Sequence, residues 1–221
     1  MAHGNSPVAL REVREGDLIS YPGPPRRHSV AKALGLPSSH VGIYALVDGC
    51  PSVIEVGLSG VRARPMVEVL ETFEDIEVLV LPVDDRGAES IVDEARTRLD
   101  TRMWYSMGLG RLTYLWANVR AVDHYAVRPL ARLAFPVVAL AAIALGAWRT
   151  TCTGFVCQVL ESTGHWDSLG LRFDRPVGSS PSPRPHRGMS AFLCGPSDYA
   201  ASPVVRRVPV QRDGSVVSVA A

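Results

Sequence analysis

The chain has 221 residues, with 23 basic and 22 acidic side chains and a formal net charge of +1. This length fits one domain with a substantial core, and the near-neutral charge argues against nucleic acid as a partner. Four cysteines do not form a disulfide framework in a chain this long, and the segment Met1–Pro7 lacks the apolar stretch of a secretory signal. The sequence therefore predicts a cytoplasmic protein with reduced thiols.

The hydrophobic pattern predicts an α+β domain, a small antiparallel sheet with helices packed against it. Strands are predicted at Gly16–Tyr21, His40–Leu46, Val53–Val56, Gly60–Arg64, Ile76–Leu81, Val204–Val210 and Ser215–Val219. Helices are predicted at His28–Leu36, at Pro65–Glu71, from Ile91 to about Met103 after a Ser90 cap, and from Cys152 to a Gly164 stop. We expect a single domain over residues 1–221, with a helical or apolar insertion at about 104–149.

Two neighbouring predicted strands carry a histidine and a glutamate. The turn residues Asp48-Gly49-Cys50-Pro51 lie between them. If the strands pair with Tyr44 opposite Pro51, then His40 faces Glu55 and both side chains project from one face of the sheet. Other registers stay open, because a slip by one residue would turn Glu55 to the opposite face.

A cysteine begins the predicted helix that starts at Cys152. Thr150 and Thr151 precede it as candidate caps. Unpaired N–H groups and the positive end of the helix dipole favour a thiolate at this position, and the same N–H groups can hold an oxyanion. A carboxylate that orients an imidazole, which in turn deprotonates a thiol, is a common arrangement for nucleophilic catalysis. The sequence thus indicates a site built from Cys152, His40 and Glu55.

Two further residues are candidates for contact with the oxyanion or the substrate. Tyr21 ends the first predicted strand close to the expected site, and Thr153 follows the cysteine in the first helical turn. Cys157 lies in the second turn, where the N–H groups are already bonded, so it is a weaker candidate nucleophile. Because Cys152 and Cys157 do not share a helix face, we expect no metal site, and no cofactor is indicated.

The order of these motifs resembles a known family. Gly16-Asp17-Leu18, then the run from Ser39 to Tyr44, then Val53–Val56, then the late Cys-Thr-x-Phe-Val helix is similar to the NlpC/P60 superfamily of papain-like cysteine hydrolases. In particular it resembles the circularly permuted branch, in which the histidine strand precedes the cysteine helix. That branch includes the YiiX-like and the lecithin retinol acyltransferase-like proteins. The segment Gly195–Ser202 also looks like a motif that often follows the nucleophile helix in the branch.

The resemblance implies a permuted papain-like fold and a role for three residues. Cys152 would be the nucleophile, His40 the general base and acid, and Glu55 the orienting residue. The implied activity is hydrolysis of an amide or ester bond through an acyl-enzyme, with a small amide, a peptide or a lipid acyl group as substrate. A non-catalytic binding module of the same fold is the competing interpretation.

An apolar segment departs from the family pattern. Leu133–Trp148 carries no charge and is flanked by Arg132 and Arg149, and it is shorter than the roughly 20 residues that span a bilayer as a helix. It is interpreted as a buried or interface helix, or as a segment that contacts a membrane surface or holds acyl chains. The second interpretation would favour a lipid acyltransferase or phospholipase with some membrane association.

Overall fold

The computed structural model describes residues 13–22, 40–57, 59–73, 75–99, 101, 104–105, 149–169, 199, 202 and 204–210. The described residues form an α+β fold with strands β1 (Leu18–Tyr21), β2 (His40–Val47), β3 (Cys50–Gly57), β4 (Gly60–Pro65), β5 (Glu77–Val80), β6 (Trp104–Tyr105), β7 (Arg149–Thr150) and β8 (Arg206–Pro209). The helices are α1 (Met66–Thr72), α2 (Asp85–Thr97) and α3 (Cys152–Ser162). The predicted α+β class is confirmed.

Six strands form an antiparallel sheet in the order β4-β3-β2-β1-β5-β8. Because side chains alternate along a strand, the sheet buries both faces against helices. One face packs on α2 and α3 through residues such as Leu18, Ile43, Ile91 and Phe155. The other face packs on α1 through a second cluster that includes Tyr21 and Val53. The helix that begins with Cys152 is therefore fixed to the sheet along its length.

The hairpin of β2 and β3 differs from the predicted register by two residues. Tyr44 pairs with Val53, and Leu46 pairs with Pro51. The reason is the turn, since Asp48 at φ 53° and Gly49 at φ 76° form a two-residue connection with both residues in the left-handed region. The strands therefore continue to the turn itself. A shift of two residues leaves every side chain on its predicted face, so His40 and Glu55 still project from the same side.

The predicted start of α2 was wrong. The helix begins at Asp85, and its cap is Asp84, whose side chain accepts a hydrogen bond from the Gly87 N–H at 2.8 Å. Ser90 lies inside the helix, where its hydroxyl donates to the Gly87 carbonyl at 2.9 Å. An aspartate satisfies a free N–H at a helix start as well as a serine does, so either residue fits the sequence pattern.

Several predicted segments lie outside the described residues. They are the helix at His28–Leu36, the strand at Ser215–Val219, most of the insertion at about 104–149 with the apolar segment Leu133–Trp148, and most of Gly195–Ser202. The three described helices have 7, 13 and 11 residues, and none of them is long and apolar enough to cross a bilayer.

Candidate active site

His40 is the first residue of β2 and pairs with Tyr21 at the end of β1. Its Nε2 lies 2.8 Å from Oε2 of Glu55, and its side chain is 19% exposed. Continuing the observed register places Glu55 beside Gly42, diagonal to His40 on the same sheet face, which long side chains can bridge. The histidine and the glutamate predicted from the sequence are therefore in direct contact.

Gly42 lies two residues after His40 on β2 and next to Glu55 on β3. The packing there leaves no room for a side chain. A Cβ at this position would lie 2.4 Å from Cγ1 of Val53 and 2.8 Å from the Ile54 carbonyl oxygen. Backbone atoms cannot yield to such an overlap without moving the strand. The absence of a side chain at residue 42 thus permits the close approach of β2 and β3 beside the His40–Glu55 contact.

We expect Gly42→Ala to destabilise the protein by about 1–3 kcal/mol through overpacking and to lower any activity that depends on His40. The strands must separate to admit the methyl group, which moves Glu55 away from the imidazole. Urea unfolding and a rate assay would measure the two effects. Ile43→Val, on the other face of β2, should cost about 1 kcal/mol without the loss of activity. Equal activity in both variants would contradict this account of Gly42.

Glu55 is buried, with 1% of its side chain exposed, and both of its oxygens are engaged. Oε1 accepts two hydrogen bonds from Arg62, from Nε at 2.9 Å and from Nη2 at 2.6 Å. Oε2 accepts hydrogen bonds from the Tyr21 hydroxyl and from His40. Burial alone would raise the pKa of Glu55, but hydrogen bonds and charge from His40, with Tyr21 and Arg62, lower it to about 2. The carboxylate is therefore ionised at neutral pH.

Cys152 is the first residue of α3, as the sequence predicts. Thr151 is the cap, and its Oγ1 accepts a hydrogen bond from the Gly154 N–H at 3.0 Å. At the other end, Gly164 has a φ of 77° just after the helix, consistent with its predicted role as a stop. Cys152 is 5% exposed. The threonine before the helix and the glycine after it are thus a local sequence signal that predicts both the helix and the cysteine at its start.

The thiol of Cys152 and the imidazole of His40 act on each other through charge and hydrogen bonding, and each shifts the pKa of the other. Burial would raise the pKa of Cys152, but the imidazolium charge and N–H groups of Val41 and Thr153 lower it below 9.0. Burial would lower the pKa of His40, but the thiolate and Glu55 raise it to about 10. Since Nε2 faces Glu55, Nδ1 is the ring nitrogen left for the sulfur. The lowered pKa of the thiol and the raised pKa of the imidazole both favour a thiolate beside an imidazolium.

We expect Thr151→Ala to destabilise the protein by about 1 kcal/mol, because the Gly154 N–H loses its acceptor. The first turn of α3 holds Cys152, so thiol reactivity should fall with the helix start. Urea unfolding and the alkylation rate of Cys152 are the measurements. Thr163→Ala, at the opposite end of the same helix, serves as the matched control. A Thr151→Ala protein with unchanged stability and thiol reactivity would show that the cap is dispensable.

The two further predicted residues lie at the site in different ways. Tyr21 is 2% exposed and lies between the rings of His40 and Phe73, at centroid distances of 5.0 and 4.7 Å. Its hydroxyl, suggested by the sequence as an oxyanion donor, donates instead to Glu55. The Oγ1 of Thr153 lies 3.0 Å from the Oγ1 of Thr151, and its side chain is buried. The N–H of Thr153 helps to lower the pKa of the Cys152 thiol.

Arg62 is the residue at this site that the sequence did not identify. Arg62 is directly opposite Glu55 in the pairing of β3 and β4. Opposite charges on facing strand positions attract, so the signal was present in the sequence. Finding it required the register of the hairpin, which depends on the connection between Gly57 and Gly60.

The other described cysteines lie away from this contact. Cys157 is fully buried, and its sulfur lies 2.9 Å from the Tyr199 hydroxyl. Cys50 is exposed at the β2–β3 turn. Within the part of the chain that the structure describes, no group of three or more histidine, cysteine or acidic side chains is arranged to hold a metal.

Among solved structures, the metalloprotein YiiX from Escherichia coli O157:H7 is similar to this chain. The TM-score is 0.50 and the sequence identity 13%, over 90% of this chain and 97% of that chain. No family profile and no curated protein sequence matches the chain. At this identity the likeness shows a shared fold, and function has to be argued from the site.

Proposed function

We propose that this protein is a cysteine hydrolase that cleaves an amide or ester bond through an acyl-enzyme on Cys152. One observation carries the proposal: the thiol at the start of α3 interacts with His40, whose Nε2 is 2.8 Å from a buried carboxylate. A nucleophile, a base and a group that orients the base are the three parts that such catalysis requires. A buried cysteine of purely structural function needs neither of the two partners.

The proposed reaction proceeds in two halves. The Cys152 thiolate attacks the carbonyl carbon, and the His40 imidazolium gives its proton to the leaving amine or alcohol, which departs as a thioester forms. Water then attacks the thioester while His40 takes one of its protons. Collapse of this intermediate breaks the carbon–sulfur bond, releases the acid and restores the thiolate–imidazolium pair. Glu55 remains ionised throughout and stabilises the imidazolium.

The helix start also supplies a donor for the oxyanion. Of the first three N–H groups of α3, that of Gly154 donates to Thr151 and that of Thr153 stabilises the Cys152 thiolate. The N–H of Cys152 itself is therefore the donor that we propose for the tetrahedral oxygen. Its position beside the nucleophile and at the positive end of the helix suits a negative charge.

The fold and the substrate class belong to the same proposal. A strand that carries the histidine and precedes the cysteine helix fits a circularly permuted papain-like fold. The likeness to YiiX supports the proposal only at the level of a shared fold. We propose a small amide, a peptide or a lipid acyl group as substrate. If an amine or alcohol replaces water in the second half, the same residues catalyse acyl transfer.

The name of the structural neighbour raises the question of a metal. YiiX is described as a metalloprotein. In this chain both oxygens of Glu55, and the Nε2 of His40 that faces them, are engaged in hydrogen bonds within the site. These atoms could bind a metal only by losing those hydrogen bonds, so the site does not fit a metal. The proposed reaction has no metal step.

Trapping the acyl-enzyme tests the proposal. Purified protein incubated briefly with a panel of p-nitrophenyl esters of short and long acyl chains should gain the mass of one acyl group. Peptide mapping should place that group on Cys152. Hydroxylamine should release it, as expected for a thioester. No adduct on Cys152 with any acyl donor, together with slow and uniform alkylation of all cysteines, would instead favour a binding module.

Acyl transfer and hydrolysis separate in the second half of the reaction. Adding a primary amine or an alcohol to the trapped thioester should produce free acid in a hydrolase. It should produce the amide or ester in a transferase. A marked preference for long acyl chains would favour a lipid substrate.

A further inference from the structure

The Glu55 carboxylate has two neighbours beyond His40, and they divide its oxygens between them. Arg62 binds only Oε1, through two N–H groups. The Tyr21 hydroxyl binds Oε2, the oxygen that also meets His40. A carboxylate held by one partner rotates about its terminal bond, whereas one bound at both oxygens from different strands has a fixed plane.

We propose that Tyr21 and Arg62 are positioning residues that hold Glu55 in the one orientation in which it aligns the His40 ring with the Cys152 sulfur. This inference rests on the proposed function and extends it to two residues. Arg62 occupies Oε1, so Oε2 is the oxygen that faces the imidazole. Tyr21 fills the remaining position at Oε2, so His40 meets that oxygen from a single direction.

The burial of Glu55 and Tyr21 supports a role in alignment. The Glu55 side chain is 1% exposed, while the Arg62 side chain that binds it is 49% exposed on the edge strand β4. An ordinary surface ion pair contributes little, but one that neutralises a buried carboxylate has a large effect on that group. Tyr21 is packed between two rings, so its hydroxyl has little freedom to leave Glu55.

The hydrogen bond from Tyr21 to Glu55 also distinguishes two possible roles of the hydroxyl, which are contact with the oxyanion and positioning of Glu55. A phenol has one proton to donate, and in the structure it goes to Glu55. A residue that acts on the oxyanion affects only reactions that form a tetrahedral intermediate. A residue that acts through Glu55 affects every reaction of the Cys152 thiolate, including simple alkylation.

The test compares Tyr21→Phe, Arg62→Gln and Arg62→Lys with the wild type. We expect kcat for an activated ester to fall by about 10- to 100-fold in Tyr21→Phe and Arg62→Gln, with KM nearly unchanged, because misalignment of the base affects chemistry rather than binding. Arg62→Lys keeps the charge but not the paired N–H groups and should recover part of the loss. Iodoacetamide alkylation of Cys152 should slow in the same order.

A pH profile excludes a merely structural role. Removal of a donor to Glu55 lets this carboxylate take up a proton at higher pH, and the imidazolium then loses its counter-ion. The acid limb of the alkylation profile should therefore move to higher pH in Arg62→Gln and Tyr21→Phe. General destabilisation would lower the plateau without moving the limb. A limb that stays in place in both variants overturns the inference.

A matched control is available elsewhere in the sheet. Arg207 on β8 also donates two hydrogen bonds to a glutamate, one to each oxygen of Glu77 on β5, at 3.1 and 2.5 Å. Arg207→Gln removes an arginine–glutamate pair that lies outside the site and should leave kcat and the alkylation profile unchanged. If Arg62→Gln has no larger effect on kcat than Arg207→Gln, the inference fails.

A double-mutant cycle with Glu55→Gln completes the test. If Tyr21 and Arg62 act through Glu55, their replacement in the Glu55→Gln protein should change kcat by less than about twofold. A full additional loss for Tyr21→Phe in that protein would return the hydroxyl to the oxyanion and overturn its positioning role. The proposed function itself fails only if wild-type protein forms no adduct at Cys152, so the two failures are distinguishable.

Discussion

Replacing Cys152 by alanine should reduce turnover of an activated ester by about 10⁴-fold or more and remove the trapped acyl adduct entirely. Alanine leaves the helix start, His40 and Glu55 in place but provides no atom that can form a thioester. The fold should persist, because the side chain lost is small and lies at the end of α3. Initial rates and intact mass give the two measurements.

Cys157→Ala is the matched control for that variant. Cys157 lies one and a half turns further along α3 and is fully buried. Its replacement removes the contact with Tyr199 and lowers the free energy of unfolding, but it leaves the proposed nucleophile intact. Turnover per folded molecule should stay close to the wild type. If Cys157→Ala lost turnover and Cys152→Ala retained it, the nucleophile would be Cys157 and the assignment of Cys152 would be wrong.

Replacing His40 by asparagine should lower kcat by about 10⁴-fold and should change the pH at which Cys152 becomes reactive. In the wild type, the imidazolium lowers the pKa of the thiol below 9.0. In His40→Asn that charge is absent, and burial then holds the thiol pKa at or above its ordinary value. At pH 6 the thiolate fraction would be about one in a thousand or less, so alkylation should nearly stop.

The wild-type pH profile follows from the same pair. Turnover should rise as pH increases through the lowered pKa of Cys152, because the thiolate then forms. It should fall again near pH 10, the pKa of His40, because the imidazolium that protonates the leaving group is lost above it. The background Cys50→Ser/Cys194→Ser limits the alkylation signal to Cys152 and Cys157. A single rise near pH 9 in the wild type would mean that the thiol and imidazole do not interact.

The sequence was informative where a local pattern determines the structure. The threonine and glycine around the Cys152 helix predicted its start and its end, and alternation of apolar residues predicted the strands that carry His40 and Glu55. The register error at the β2–β3 hairpin did not affect the site, because strand side chains repeat every two residues. Position along the hairpin is set by the Asp48–Gly49 turn, which was recognised as a turn but not as a two-residue one.

The features that the sequence does not predict depend on which residues are neighbours in the folded structure. The role of Arg62 becomes visible only when β4 is aligned with β3, which places it opposite Glu55. For Tyr21, the location near the site was predicted, but the acceptor of its hydroxyl depends on a buried carboxylate on another strand. Asp84 and Ser90 both suit a helix cap, and only the packing of the first turn of α2 distinguishes them. Such choices are made by contacts between distant parts of the chain, which composition and periodicity do not encode.

The order of strands in the sheet has a consequence for synthesis of the protein. β8 is the last described strand in the sequence, yet it covers the edge of β5, which forms in the first half of the chain. While the ribosome makes the intervening residues, the edge of β5 is exposed and able to pair with another nascent chain. We therefore expect ribosome-bound fragments that end before Arg206 to depend on chaperones, and the reactive thiol to appear only after β8 has been made.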